Sequence, residues 1–115
     1  MTDPSHTPEK QLIHLIVTDG PDKGKMFFVK PKREAVIGRV SGADLRLNDS
    51  NTSARHCVVR SGGDVAFIED LDSSNGTYVN GEVINSRVVD EDATIRIGNT
   101  TIAVSYTHLT LPTNR

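Results

Sequence analysis

Short apolar runs separated by turn-forming residues constrain the fold of this chain more than any other feature. The runs recur at intervals typical of sandwiches and barrels, and they occupy residues 12–18, 25–30, 35–39, 45–47, 56–61, 65–70, 77–79, 82–84, 94–97 and 101–106. Apolar and polar residues alternate in runs 65–70 and 94–97, as in strands with one solvated face. Asn80-Gly81 tolerates positive φ at both positions and predicts a type I′ hairpin. No helical periodicity persists over several turns, so the sequence predicts an all-β fold.

The length of the chain limits it to one folded unit. Its 115 residues leave room for a single domain with one hydrophobic core. We predict that residues 1–11 form a flexible N-terminal tail and that residues 12–106 form the domain. Residues 107–115 are predicted to lie outside it, because the terminal string VSYTHLTLPTNR resembles translated adapter or vector sequence.

Charge and cysteine content argue against several classes of protein. The net charge of −2 argues against general affinity for nucleic acid, which requires a basic face. The single cysteine, Cys57, excludes an intramolecular disulfide framework and a thiolate zinc cluster, and its apolar neighbours predict burial. No segment approaches the roughly 18 apolar residues of a membrane span, and the first residues lack the apolar core of a secretory signal. We therefore expect a cytoplasmic protein without membrane contact.

Polar motifs occupy the points where a β-rich chain should turn. They are Gly38-Arg39, Ser53-Ala54-Arg55-His56, Ser74-Asn75-Gly76-Thr77 and Asn80-Gly81. Loops at one end of a sandwich can bring such side chains together. An arginine, small hydroxyls and an asparagine gathered on loops are suited to a phosphate group carried by a peptide.

Arg39 follows the apolar run 35–37, so a buried strand should deliver it to an exposed strand end. Its planar guanidinium presents a fork of donors that matches phosphate oxygens, which lysine cannot reproduce. Gly38 is predicted to let the backbone turn there without steric cost.

Ser53 and His56 could also form a nucleophile and its base. Against this hydrolase hypothesis, no third group is placed to orient the histidine. A strand that begins at His56 would carry the imidazole away from the loop tip.

The order GR, SxxH and NGTxVNG, in a chain that opens with a TDGPDKGK-type turn, resembles a forkhead-associated (FHA) domain of the bacterial type. The resemblance extends from Leu12 to Tyr106. It implies a sandwich of about eleven mostly antiparallel strands in two sheets, with phosphothreonine peptides bound by loops at one end.

The resemblance also implies roles for individual residues. The hydroxyls of Ser53 and Ser74 and the backbone amide of Ala54 would donate to the phosphate beside Arg39. Asn75 would bind the peptide backbone. The remaining assignments are Arg55 near the peptide, and Gly38, His56 and Gly76 as structural supports of the site. No enzyme activity, metal or cofactor is implied, and the domain is expected to be monomeric alone.

Ala54 departs from the family pattern, in which a polar or basic side chain often adds a phosphate contact. An alternative function therefore stays open, namely a scaffold or oligomerisation domain that binds partners independently of phosphate. The loop 46–52 would contact peptide residues beyond the phosphate, but its mixed charge predicts no preference among them.

Overall fold

The computed structural model describes residues 10–62 and 65–109, and within these ranges it contains strands but no helix. The strands are β1 (Lys10–Asp19), β2 (Met26–Val29), β3 (Glu34–Gly38), β4 (Leu45–Arg46), β5 (Cys57–Ser61), β6 (Ala66–Asp70), β7 (Thr77–Val79), β8 (Glu82–Ile84), β9 (Ser86–Val89), β10 (Thr94–Ile97) and β11 (Thr100–Leu109). The predicted all-β class is confirmed. Because the described part has no helix, it also has none that could span a membrane.

The strands form two sheets. One has six strands in the order β2-β1-β11-β10-β7-β8, and the other has five in the order β4-β3-β5-β6-β9. Among the described strands, the short β3–β4 pair is the only parallel one. Alternating side chains from both inner faces make the core, in which Leu15, Ile37, Ile68 and Ile95 are fully buried. Cys57 is buried there as predicted.

Strand β9 was not predicted, and several predicted strand ends shift. Only Asn85 separates β8 from β9, so no cluster of turn residues marks the boundary. The strand predicted to start at His56 begins at Cys57. β1 and β11 pair from Lys10↔Leu109 to Asp19↔Thr101, so strand pairing extends past both predicted domain limits. The division at residues 11 and 107 stays a prediction.

Strand pairing places the loops that carry the motifs at one end of the sandwich, which we call the apical end. The pairs Ile37↔Cys57 and Cys57↔Asp70 align the end of β3, the start of β5 and the end of β6. In the other sheet, Ile97↔Thr77 puts the β10–β11 turn beside the start of β7. The β4–β5 loop (47–56), the β6–β7 loop (71–76) and the β10–β11 turn (98–99) therefore meet there.

Candidate functional site

Arg39 is exposed at the apical end and is held by the β4–β5 loop. Its backbone N–H donates to the carbonyl of Ser53 at 3.1 Å, and its Nε donates to the carbonyl of Thr52 at 2.9 Å. The terminal amino groups of the guanidinium have no hydrogen-bond partner among the described residues. The side chain is thus anchored at Nε while the outer part of the donor fork remains available to a ligand.

Gly38 brings β3 closer to the β4–β5 loop than any side chain would permit. A Cβ at this position would lie 2.1 Å from the carbonyl oxygen of Ala54 and 3.0 Å from the Cα of Arg55. Gly38 is not among the residues with positive φ, so the close approach is the reason for glycine, not the turn we predicted. This approach lets the Val40 N–H donate to the Ala54 carbonyl at 3.1 Å.

His56 is fully buried and joins the two loops that carry the second and third motifs. Its Nδ1 accepts the backbone N–H of Ser53 at 3.0 Å, so the ring proton lies on Nε2, which donates to the carbonyl of Gly76 at 2.8 Å. Both ring nitrogens are occupied and neither contacts the hydroxyl of Ser53. The nucleophile–base pair of the hydrolase hypothesis is therefore not formed in this structure.

Ser53 and Ser74 lie side by side. The hydroxyl oxygen of Ser53 accepts the backbone N–H of Ser74 at 3.0 Å, which leaves the Ser53 O–H available to donate. Ser74 is exposed, and its hydroxyl has no partner within the described part of the chain. The structure therefore brings the two predicted phosphate donors together.

Two backbone amides next to Ser53 are also unoccupied. Ala54 and Arg55 are exposed, and neither N–H has an acceptor among residues 10–62 and 65–109. Consecutive free N–H groups can bind an anion through the backbone alone. The side chain of Arg55 makes no described contact, so its predicted role at the peptide stays a prediction.

Asn75 connects the β6–β7 loop to the β4–β5 loop. Its Nδ2 donates to the carbonyl of Asn51 at 2.8 Å, while the rest of the side chain is exposed. Gly76 follows with a φ of +88°, a conformation in which a side chain is strained. The left-handed turn at Gly76 is the backbone feature that lets its carbonyl accept from His56.

Asp70, at the end of β6, orders the β6–β7 loop. Its Oδ2 accepts the backbone N–H of Ser73 at 3.1 Å, and its Oδ1 accepts the hydroxyls of Ser73 at 2.5 Å and Thr77 at 2.6 Å. Burial alone would raise the pKa of Asp70, but these hydrogen bonds outweigh it and lower the pKa below its ordinary value of 3.8.

This set of loops, on this sandwich, matches one family of domains. The model of the FHA domain matches residues 35–98, which include Gly38-Arg39, Ser53, His56, Asn75 and Asn80-Gly81. The chain belongs to the FHA-domain family.

Two curated relatives of this FHA domain are bacterial proteins with regulatory names. An oxoglutarate dehydrogenase inhibitor of Corynebacterium jeikeium is 39% identical over 84 residues, which are 73% of this chain and 58% of that protein. The glycogen accumulation regulator GarA of Mycolicibacterium smegmatis is 36% identical over 85 residues, 73% of this chain and 52% of GarA. The chain thus spans about half the length of these relatives.

Solved structures agree on the fold over nearly the whole domain. One comes from a study of phosphothreonine-dependent FHA domain interactions. It is 31% identical with a TM-score of 0.75, and the match covers 89% of this chain and 99% of that one. The FhaA FHA domain complexed with the intracellular domain of Rv3910 is 34% identical with a TM-score of 0.73, over 80% and 98% of the two chains. The predicted FHA sandwich of eleven strands is confirmed.

Asp49 is a buried support of the FHA site that sequence reasoning missed. It is 1% exposed, and its Oδ1 accepts the backbone N–H of Asn51 at 2.9 Å. Its Oδ2 accepts the Asn99 N–H at 2.6 Å and the Thr100 hydroxyl at 2.8 Å. One carboxylate thereby joins the β4–β5 loop to the β10–β11 turn. Because Asp49 sits in a polar run of the loop, nothing in the sequence marks it as buried.

Two further basic residues lie near the backbone of Arg39: Arg46, which belongs to the loop predicted to contact the peptide beyond the phosphate, and Lys25, which sequence reasoning missed. The Nε of Arg46 donates to the carbonyl of Arg39 at 3.2 Å, and the Nζ of Lys25 donates to the carbonyl of Arg46 at 2.7 Å. Asp22 offsets part of this charge through an ion pair with Lys25 at 3.6 Å. Arg46 and Lys25 therefore add positive charge near the backbone of Arg39, which favours an anionic ligand there.

The buried hydroxyl of Thr52, directly beside the site, is expected to lower the free energy of unfolding. The residue is 2% exposed, and its hydroxyl has no hydrogen-bond partner within the described residues. A buried hydroxyl without a partner costs about 1–3 kcal/mol of desolvation. We expect Thr52→Val to raise the free energy of unfolding by about 1 kcal/mol, measured by urea denaturation.

Thr77→Val is the matched control for this prediction. Thr77 is also fully buried, but its hydroxyl donates to Asp70 at 2.6 Å. Its replacement should lower the free energy of unfolding by about 1–2 kcal/mol, because a charged acceptor loses one of its donors. If both variants were destabilised equally, the unpaired state of the Thr52 hydroxyl would be disproved.

Proposed function

We propose that this FHA domain binds phosphothreonine on partner proteins in Ser/Thr kinase signalling. One observation carries the proposal: Arg39 is anchored to the β4–β5 loop through its backbone N–H and its Nε, while its terminal amino groups have no partner among the described residues. Bidentate, charge-assisted hydrogen bonds from a guanidinium to a phosphate are roughly twice as strong as hydrogen bonds between neutral groups.

The neighbouring donors support a site for a dianion. Around the same loop junction, the O–H groups of Ser53 and Ser74 and the N–H groups of Ala54 and Arg55 have no acceptor among the described residues. His56 and Asp70 hold the two loops by partly buried hydrogen bonds, so little ordering is required when a ligand binds. In this arrangement Ala54 acts through its backbone, which makes a basic side chain there dispensable.

Asn75 is proposed to fix the register of the peptide. Its Nδ2 is held by Asn51, which leaves the amide oxygen exposed as an acceptor for a peptide N–H.

Removing the Arg39 side chain tests the proposal. Arg39→Ala should weaken binding of a phosphothreonine peptide by about 2–3 kcal/mol, roughly 30- to 150-fold, since charge-assisted hydrogen bonds are lost. Arg39→Lys keeps the charge but not the fork, so it should retain only part of the affinity. Isothermal titration calorimetry with phosphothreonine, phosphoserine and unmodified peptides of one sequence provides the measurement.

Two results of that titration would contradict the proposal. If Arg39→Ala bound as tightly as the parent, with circular dichroism showing both folded, the assigned phosphate site would be wrong. Equal affinity for phosphorylated and unmodified peptides would favour the alternative of a phosphate-independent scaffold or oligomerisation domain.

The remaining features of the proposal follow from the ligand class. The domain has a binding and not a catalytic role, it requires no cofactor, and its partners are proteins that carry phosphothreonine, with neither nucleic acid nor membrane as a ligand. We place its action in the cytoplasm, where ATP-dependent kinases make such ligands, and we expect the domain alone to be monomeric.

A further inference from the structure

A groove with no assigned role lies beside the proposed phosphate site. It encloses about 260 Å³ and is lined by Asn51, Asn75, Tyr78, Arg96, Gly98 and Asn99. Asn75 adjoins Ser74 in sequence, and Asn51 lies two residues before Ser53. The groove therefore begins where the proposed phosphate donors end, within reach of a peptide that extends about 3.3–3.6 Å per residue.

Arg96 is the cationic side chain of this groove. It projects from β10 directly opposite Tyr78 on β7, and its guanidinium carbon lies 4.8 Å from the centre of the Tyr78 ring. Stacking on the ring leaves the N–H groups at the edge of the guanidinium free. Within the described residues Arg96 has neither an ion pair nor a hydrogen bond.

The walls of the groove are fixed before any ligand arrives. Asp49 binds the backbone N–H groups of Asn51 and Asn99, and Asn75 donates to the carbonyl of Asn51. Gly98 has a φ of +58°, and a Cβ there would lie 2.9 Å from Asp49 Oδ2. These contacts hold the three loops of the apical end in defined positions, so the groove is preformed.

The chemistry of the lining selects the charge of its ligand. Three asparagine side chains, a tyrosine and an arginine line the groove, and no carboxylate does. Side-chain amides can donate to an anion, and the guanidinium is the one formal charge among the lining residues. A carboxylate is the peptide group that complements this set, because it accepts hydrogen bonds from arginine and amides together.

We propose that Arg96, stacked on Tyr78, binds an aspartate or glutamate side chain of the peptide a few residues from the phosphothreonine. This FHA domain then selects acidic phosphothreonine sequences. The inference rests on the proposed function, since the groove takes a neighbouring residue of the same peptide. The basic side chains of the β4–β5 loop are not the determinant, because Asn51 is the residue of that loop that lines the groove.

A phosphothreonine peptide library with every flanking position randomised tests the inference first. We expect enrichment of Asp and Glu at one position. Two synthetic peptides that differ only by Glu or Gln at that position are then titrated by calorimetry. The Glu peptide should bind about 2- to 5-fold more tightly, the range of a partly exposed ion pair, and the preference should shrink in high salt.

Variants of Arg96 assign the preference to a residue. Arg96→Gln should remove the difference in affinity between the Glu and Gln peptides. Arg33→Gln is the matched control, because Arg33 is exposed and immediately precedes β3, at the opposite end of the sandwich. That variant removes the same charge and should keep the full Glu preference.

The outcomes separate this inference from the proposed function. Phosphate-dependent binding that needs Arg39 but shows no acidic preference would overturn the role of Arg96 alone. A preference for the Glu peptide that persists in Arg96→Gln would also overturn the role of Arg96 alone. Absence of phosphate-dependent binding in the parent would overturn both proposals.

Discussion

Replacing Gly38 with alanine is expected to lower the free energy of unfolding by at least about 3 kcal/mol and to abolish peptide binding. The new Cβ would meet the Ala54 carbonyl oxygen at 2.1 Å and its carbonyl carbon at 2.8 Å. These are backbone atoms and cannot rotate away as a side-chain tip could. The β4–β5 loop must therefore shift by about an ångström, since contacts below about 3 Å are strongly repulsive.

The shift would disrupt the site as well as the fold. The Ala54 carbonyl accepts from Val40, and the Ser53 carbonyl accepts from Arg39, so both bonds depend on the distance that Gly38 permits. Urea denaturation measures the loss of stability, and calorimetry with a phosphothreonine peptide measures the loss of binding.

Gly42 provides the matched control for this substitution. A Cβ built on Gly42 has no heavy atom within 4 Å, and its φ is not in the positive region. Gly42→Ala should therefore change the free energy of unfolding by less than about 0.5 kcal/mol and leave binding unchanged. If Gly38→Ala behaved like Gly42→Ala, the close approach of β3 and the β4–β5 loop would be disproved.

Local patterns predicted the parts of the fold that depend on local chemistry. The Asn80-Gly81 hairpin is confirmed: Asn80 has a φ of 51° and Gly81 of 87°, and the turn joins β7 to β8. Both residue types tolerate positive φ, so this dipeptide alone was sufficient to predict the hairpin. β9 could not be found in this way, because it follows β8 after Asn85 alone and its pairing partner β6 is distant in sequence.

Long-range contacts explain what sequence reasoning missed at the site. The polar sequence around Asp49 is typical of an exposed loop. Asp49 is instead buried, because Asn99 of the β10–β11 turn and Thr100 at the start of β11 donate hydrogen bonds to it. In the sequence, nothing links Arg96 to Tyr78, because they belong to two separate strands. The pairing of β10 with β7 places them opposite each other, and the guanidinium then lies over the ring. The motif was sufficient to predict that Gly38 supports the site. The reason why glycine is required there is the short distance to the Ala54 carbonyl, which only the structure shows.

Asp49→Asn is expected to lower the free energy of unfolding by about 2–4 kcal/mol at pH 7. Its two carboxylate oxygens accept from Asn51, Asn99 and Thr100. An amide has the same shape but turns one oxygen into an N–H donor, so in either orientation it opposes at least one backbone N–H. A buried donor is then left without an acceptor, and urea denaturation at constant temperature measures the cost.

Asp72→Asn is the control for the loss of one negative charge. Asp72 is exposed and has a φ of 62°, which asparagine also tolerates. We expect a change below about 0.5 kcal/mol. The Asp49 variant should also lose affinity for the phosphothreonine peptide, since the β4–β5 loop is no longer held to the β10–β11 turn.

The pH dependence of stability distinguishes a lost carboxylate from a general packing defect. Burial by itself raises the pKa of Asp49, but the hydrogen bonds from Asn51, Thr100 and Asn99 outweigh it, and the pKa lies below its ordinary value of 3.8. A lowered carboxyl pKa contributes stability that is complete above the unfolded value and is lost as the pH falls through the folded value. The free energy of unfolding of the parent should therefore exceed that of Asp49→Asn by a constant amount above about pH 5. This difference should decrease below pH 3.8. A margin that stayed constant down to pH 2.5 or so would mean that the charge of Asp49 contributes nothing to the joined loops.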